Sequence, residues 1–183
     1  MNNAIIFAFT SAVVSGALAL VFAWYERRSV AHLSFVFGMA LLAVESVLNG
    51  LTATATLPEE MVYWQNWRLL AMSFLPGVWL FFSLSYGYGN HREFIARRRF
   101  LLGIAFLVPV LLFILFRNAL IISVGQAAQG GHWVFGLGNP GIFLNVFFLI
   151  GAVVVLMNLE RTYRAAVGTM RWRIKFMILG LVE

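Results

Sequence analysis

Glu45 is the one acidic residue lying well inside an apolar stretch of this chain, and residues able to act with it stand nearby in type and spacing. Asn49 follows one helical turn later, which puts it on the same face of a helix. Arg68 and Arg117 stand at the ends of two other apolar stretches, where a long side chain can reach inward. A carboxylate in hydrocarbon costs at least about 2–3 kcal/mol, so Glu45 must face other protein, find a partner or hold a proton. Glu45, Asn49, Arg68 and Arg117 therefore form the candidate intramembrane polar site, with Arg68 as the first partner for Glu45 and Arg117 as the second. Two roles fit these residues: a sensing pocket near one membrane face, or a clamp between helices. If Glu45 leaves nothing unpaired when removed, Glu45→Leu should be tolerated or stabilising.

Other chemistry finds no footing. The histidines His32, His91 and His132 fall in separate segments, and the chain has no Cys, so neither a metal cluster nor a disulfide can be assembled. All seven acidic residues are Glu, which removes an aspartyl dyad. There is no G-x-S-x-G nucleophile elbow and no phosphate-binding G-x-x-x-x-G-K-[ST]. No catalytic residue, cofactor, metal or nucleic-acid partner is expected of these residues.

The elements that must position the polar residues are apolar runs at 4–25, 30–51, 69–88, 100–116 and 141–159. A helix rises about 1.5 Å per residue, so roughly 20 residues cross a hydrocarbon core of about 30 Å. The composition agrees: 62% of residues are hydrophobic and 11% charged, against about 45–50% and 25% in soluble domains. The first run is too long for a signal peptide and ends in Trp24, Tyr25, Glu26, Arg27 and Arg28, an interfacial belt and a stop. A sixth run, 176–182, is too short to cross and reads as a helix cut in its middle. The expected fold is thus all-α: a polytopic membrane helix bundle of five full spans and the start of a sixth, forming one domain over 1–183.

Cations fix the orientation. Arg27 and Arg28 follow run one, Arg92, Arg97, Arg98 and Arg99 follow run three, and Arg161, Arg164, Arg171, Arg173 and Lys175 follow run five. These alternate segments hold all the Lys and Arg except Arg68 and Arg117, and short cationic loops stay cytoplasmic. The N-terminus is therefore expected outside, the lipid bilayer is the first partner, and the high isoelectric point needs no nucleic acid.

Within the runs, Ala8, Ala12 and Gly16, with Ser11, Ser15, Ala19 and Ala23 beside them, give run one a small-residue face suited to close helix packing. Pro76-Gly77 in run three and Pro109 in run four are expected to bend their helices. The segment from Arg117 to Asn139 has two β-prone stretches around a Gly-rich turn, which suggests a hairpin or a re-entrant cap.

Two stretches carry a resemblance. Residues 67–86, reading WRLLAMSFLPGVWLFFSLSY, resemble the third helix of the seven-helix N-terminal sensor domains of bacterial histidine kinases. Leu159-Glu160-Arg161-Thr162-Tyr163-Arg164, with Arg171-Trp172-Arg173-Ile174-Lys175-Phe176 and Leu179-Gly180-Leu181, is similar to the following loop and sixth-helix start in the PrsK-like kinases associated with PEP-CTERM/exosortase exopolysaccharide systems. The resemblance implies a signal-input domain in a bacterial inner membrane. It also implies missing cytoplasmic kinase domains, a response regulator as partner and a homodimer in the full-length protein. Parity agrees, since two further crossings would return the chain to the cytoplasm. The competing reading is a small multi-pass transporter or channel-like protein, which would call for internal repeats that the sequence lacks.

The orientation predicts that, of cysteines introduced singly, Gln129→Cys reacts with a membrane-impermeant thiol reagent in intact cells and Arg98→Cys does not. The reverse labelling pattern would invert the bundle.

Overall fold

A computed structural model describes residues 2–24, 29–87, 91–126 and 133–165. The expected sixth segment, 176–182, lies outside the described residues. Five helices follow one another, α1 (Asn2–Trp24), α2 (Val30–Thr54), α3 (Pro58–Gly87), α4 (His91–Phe116) and α5 (Asn139–Ala165). A short 3-10 turn (Arg117–Ala119) and the strands β1 (Ile121–Gln126) and β2 (Trp133–Leu137) separate α4 from α5. Each helix contains a segment of 22 to 29 residues long and apolar enough to cross a membrane. Short connections force neighbours to run antiparallel. One end of the bundle thus carries the hairpin (the hairpin end), and the other carries the clustered arginines (the arginine end).

Local signals account for several helix starts. Ser29 is extended, and its hydroxyl accepts a hydrogen bond from the His32 backbone N–H at 3.1 Å, capping α2. Pro58 opens α3, where its missing N–H is harmless, and Glu59 and Glu60 complement the positive helix end. The helices α3, α4 and α5 begin 11, 9 and 2 residues before the apolar runs that announce them. Hydropathy marks only the part matched to hydrocarbon, while backbone bonding carries the helix on through interfacial residues such as Tyr63, Trp64 and Trp67. The helix α3 continues through Pro76 as a single element.

The organising element is α3. Across an 18-residue apolar stretch of its span 67% of residues are buried, against 17–22% in the corresponding stretches of the other four. It packs on α2, α4 and α5, whereas α1 leans on α2. One apolar core joins Trp79, Leu80, Phe82 and Leu84 of α3 to Leu102 and Ala105 of α4 and Val155 and Leu159 of α5, with Phe35 and Met39 of α2 against it. A second, at the hairpin end, joins Leu69, Phe113, Leu120 and Leu144.

Small residues permit these approaches. A Cβ on Gly38 would sit 3.2 Å from the Trp79 ring, and one on Gly77 would penetrate the ring of Phe106. Gly151 faces Pro76 in the same way, at 3.1 Å. Between α1 and α2, Ala8, Ala12, Ser15 and Ala19 are buried, and the Ser46 hydroxyl donates to that of Ser11 at 3.3 Å. The small-residue face of α1 is thus a packing face.

The strands pair antiparallel from Ile121↔Leu137 to Gln126↔Trp133, with an irregularity between Ile121 and Ser123. This is the hairpin that the β-prone stretches announce. Its base is tied to the bundle by the Gly138 N–H, which donates to the Leu120 carbonyl at 3.0 Å. Leu120 itself is fully buried in the hairpin-end core.

Gly77 and Gly103 separate packing from propensity. Gly77→Ala should cost about 1–3 kcal/mol through displacement of Phe106. Gly103→Ala, where nothing lies within 4 Å of an added Cβ, should be neutral or stabilise by up to about 1 kcal/mol. Thermal unfolding in detergent compares them, and equal midpoints would contradict the packing assigned to Gly77.

Candidate functional site

Register alone brings Glu45 and Arg68 to the same depth. Residues 55–57 connect α2 to α3, and Glu45 precedes Ala55 by 10 residues while Arg68 follows Leu57 by 11. In an antiparallel helix pair, residues equidistant from the turn sit side by side. Each lies about 15 Å below the hairpin end of its helix at the usual rise. The structure closes the contact: Arg68 Nε–H donates to Glu45 Oε1 at 2.6 Å. The side chains are 26% and 16% exposed, respectively. This pair joins α2 to α3 across the interface that also contains Gly38 and Trp79.

Asn49 is half-buried one turn above Glu45 on α2. Arg117 is exposed in the 3-10 turn, and no hydrogen bond or ion pair connects it to Glu45 among the described residues. The four expected residues thus divide into a formed pair, a neighbouring amide, and an arginine that is separate from the pair.

Sequence reasoning missed two amides. Gln65 is one turn before Arg68 on the same face of α3, and Asn66 is next to it. The side-chain carbonyl oxygens of both are buried without a donor among the described residues. Two adjacent amides within three residues of an interfacial arginine are the signal that could have drawn attention to them. The pair and these acceptors together form a polar patch in the hairpin-end half of an otherwise apolar bundle. Such a patch can exchange hydrogen bonds with a polar ligand or hold two helices in register, and it contains no nucleophile paired with a base.

Elsewhere, His32 is half-buried near the arginine end of α2, with neither ring nitrogen bonded among the described residues and its ring 6.2 Å from that of Phe22. The side chains of His91 and His132 lie outside those described. Among the described residues no three His, Cys, Asp or Glu side chains gather as a metal site would require.

Five apolar helices around a partly buried ion pair suit several membrane proteins, and comparison with known families decides among them. Residues 7–182 match the family described as the N-terminal 7TM region of histidine kinase. The chain belongs to that family. Neither the curated proteins nor the solved structures compared with it gave a match. Membership makes this a multi-pass membrane domain of the sensor histidine kinases, and it accords with the resemblance carried by residues 67–86.

Within this histidine kinase 7TM domain the ion pair reverses the expectation for Glu45→Leu. That substitution strands the Arg68 guanidinium, half-buried and without its carboxylate, at a cost of about 1–3 kcal/mol. Glu45→Leu combined with Arg68→Leu should recover most of this loss, because lipid or protein contacts then replace both charges. Unfolding of the single and double variants in detergent gives the coupling directly. Additive losses would mean that the contact contributes nothing.

Proposed function

We propose that this chain is the membrane-embedded signal-input domain of a two-component sensor histidine kinase, with the Glu45–Arg68 patch as its sensing site. The observation that carries the reading is the family match over residues 7–182, and the buried ion pair supplies a place for input. The proposed setting is a bacterial inner membrane with the N-terminus outside, so that the patch lies toward the outer leaflet and the arginine end faces the cytoplasm. There, a kinase region following this single domain would pass phosphate to a response regulator, in a homodimer of the PrsK-like kind.

The route for the signal is mechanical. Opening or tightening the pair shifts α3 against α2, and α3 packs along both α4 and α5. Packed helices move as units, by about 1–2 Å in switching proteins. Since α5 leads on from the core toward the chain's C-terminal segment, its displacement is the output.

In the full-length protein, Glu45→Gln should change ATP-dependent autophosphorylation by about threefold or more, the equivalent of a sub-kcal/mol population shift. Exchanging the charges, Glu45→Arg with Arg68→Glu, should restore it. Unchanged phosphorylation in both would remove the patch from signalling. A reading frame containing no phospho-accepting His region would overturn the reading as a whole.

A further inference from the structure

The arginine end carries a second polar feature, between α4 and α5. Arg98 extends from α4, and its Nη1 donates to Asn158 Oδ1 of α5 at 3.4 Å. That orientation of the amide follows from the charge, since a guanidinium can only donate. It leaves Asn158 Nδ2, with two N–H groups, buried and lacking an acceptor among the described residues. A buried donor without a partner costs about 1–3 kcal/mol. The hydroxyl of Ser85, itself buried at the same end of α3, is also without a partner among the described residues. Gly151 of α5 faces Pro76 of α3, and Asn158 and Ser85 follow them by seven and nine residues on helices that run the same way, which puts the two polar groups within about 3 Å of one depth.

What the Asn158 amide lacks among the described residues is an acceptor, and the sequence around this end is strongly cationic. By sequence, the stretches 25–28, 92–99 and 160–175 hold all the Lys and Arg except Arg68 and Arg117, against Glu26, Glu93 and Glu160. Glu160 is already taken by Arg164, one turn away on the exposed face of α5. Both α4 and α5 pack mainly on α3 and less on each other, which leaves a seam between them among the described residues. Its flanks are apolar and exposed, with Phe100 and Leu101 on α4 and Met157 on α5.

We infer that the phosphate of an anionic lipid binds at this seam. Arg98 supplies the charge, the Asn158 amide N–H groups supply the missing hydrogen bonds, and the acyl chains lie along the apolar flanks. Basic pockets between membrane helices are established sites for anionic headgroups, and charge-assisted bonds to phosphate are among the stronger polar contacts. The inference needs only a membrane-embedded bundle and is independent of the sensing role given to Glu45 and Arg68.

The test uses the full-length protein in detergent micelles, with thermal stability measured as phosphatidylglycerol, phosphatidylcholine or inorganic phosphate is added. Phosphatidylglycerol should raise the midpoint, and neither of the others should match it. Asn158→Asp is the informative variant. It keeps the shape and the contact to Arg98 but replaces the unpartnered donor with a carboxylate oxygen. The lipid response should weaken about tenfold in concentration while the lipid-free midpoint holds or rises. Arg98→Gln should lose the response too, whereas Arg99→Gln, an equal loss of charge at the exposed neighbouring position, should retain it. Equal loss in Arg99→Gln, an unaltered response in Asn158→Asp, or full mimicry by inorganic phosphate would each overturn the lipid site.

Discussion

Close approach of backbones onto α3 is the constraint on which the rest of this domain depends. Inside a bilayer, apolar side chains gain nothing by leaving lipid for protein, so helices associate through dense contact and the few polar bonds available. Here the density comes from paired shapes: Gly38 under the indole of Trp79, Gly77 under the ring of Phe106, and Gly151 against Pro76. Each pair combines a residue that yields space with one that fills it, and each involves α3. The apolar core follows from these contacts, since Phe82, Leu84, Val155 and Leu159 reach full burial only once the backbones are this near.

That geometry also explains why a carboxylate is tolerated in α2. Once α2 and α3 are held together, a residue 10 positions before the turn and one 11 after it must meet. A Glu–Arg pair at that point replaces two separate desolvation costs with one bond and keeps a partial route to the interface for the Arg68 head. An ion pair of this kind adds little to stability but specifies the register, since sliding α2 by one residue would break it.

Much of this was legible in the sequence, for physical reasons that differ by element. The five spans are visible because hydrocarbon demands long apolar runs, and the hairpin because β-branched residues flank a Gly-rich turn. The pairing of Glu45 with Arg68 is readable because a buried charge needs a partner and few exist. The extra turns of α3 and α4 were not legible, as hydropathy falls at the interface while the helix continues. The central place of α3 was also hidden, because lipid-facing and protein-facing surfaces are equally apolar. Gln65 and Asn158 escaped notice for a related reason: an amide looks harmless in sequence and becomes conspicuous only when its neighbours fail to satisfy it. Arg117 shows the opposite error, since a cation at a helix end can reach several places and the sequence does not say which.

The two polar layers sit near opposite ends of one helix set, and α3 is common to both. Arg68 lies about three turns into it, and Ser85 in its last turn. Between them runs a stretch from Leu69 to Leu84 in which Leu69, Ser73, Pro76, Gly77, Val78, Trp79, Leu80, Phe82, Ser83 and Leu84 are buried. A close-packed interior deforms little and shifts as a body. Pro76, which lacks the N–H that would bond back one turn, is the weakest point in that line, and it is braced by Gly151 on α5. On the proposed sensing role, a displacement entering at Arg68 would meet at Pro76 both the rest of α3 and, through Gly151, α5. Because α5 also carries Asn158, a group bound at the proposed arginine-end site would act on the same helix, so that the two proposed sites would bias one displacement rather than two.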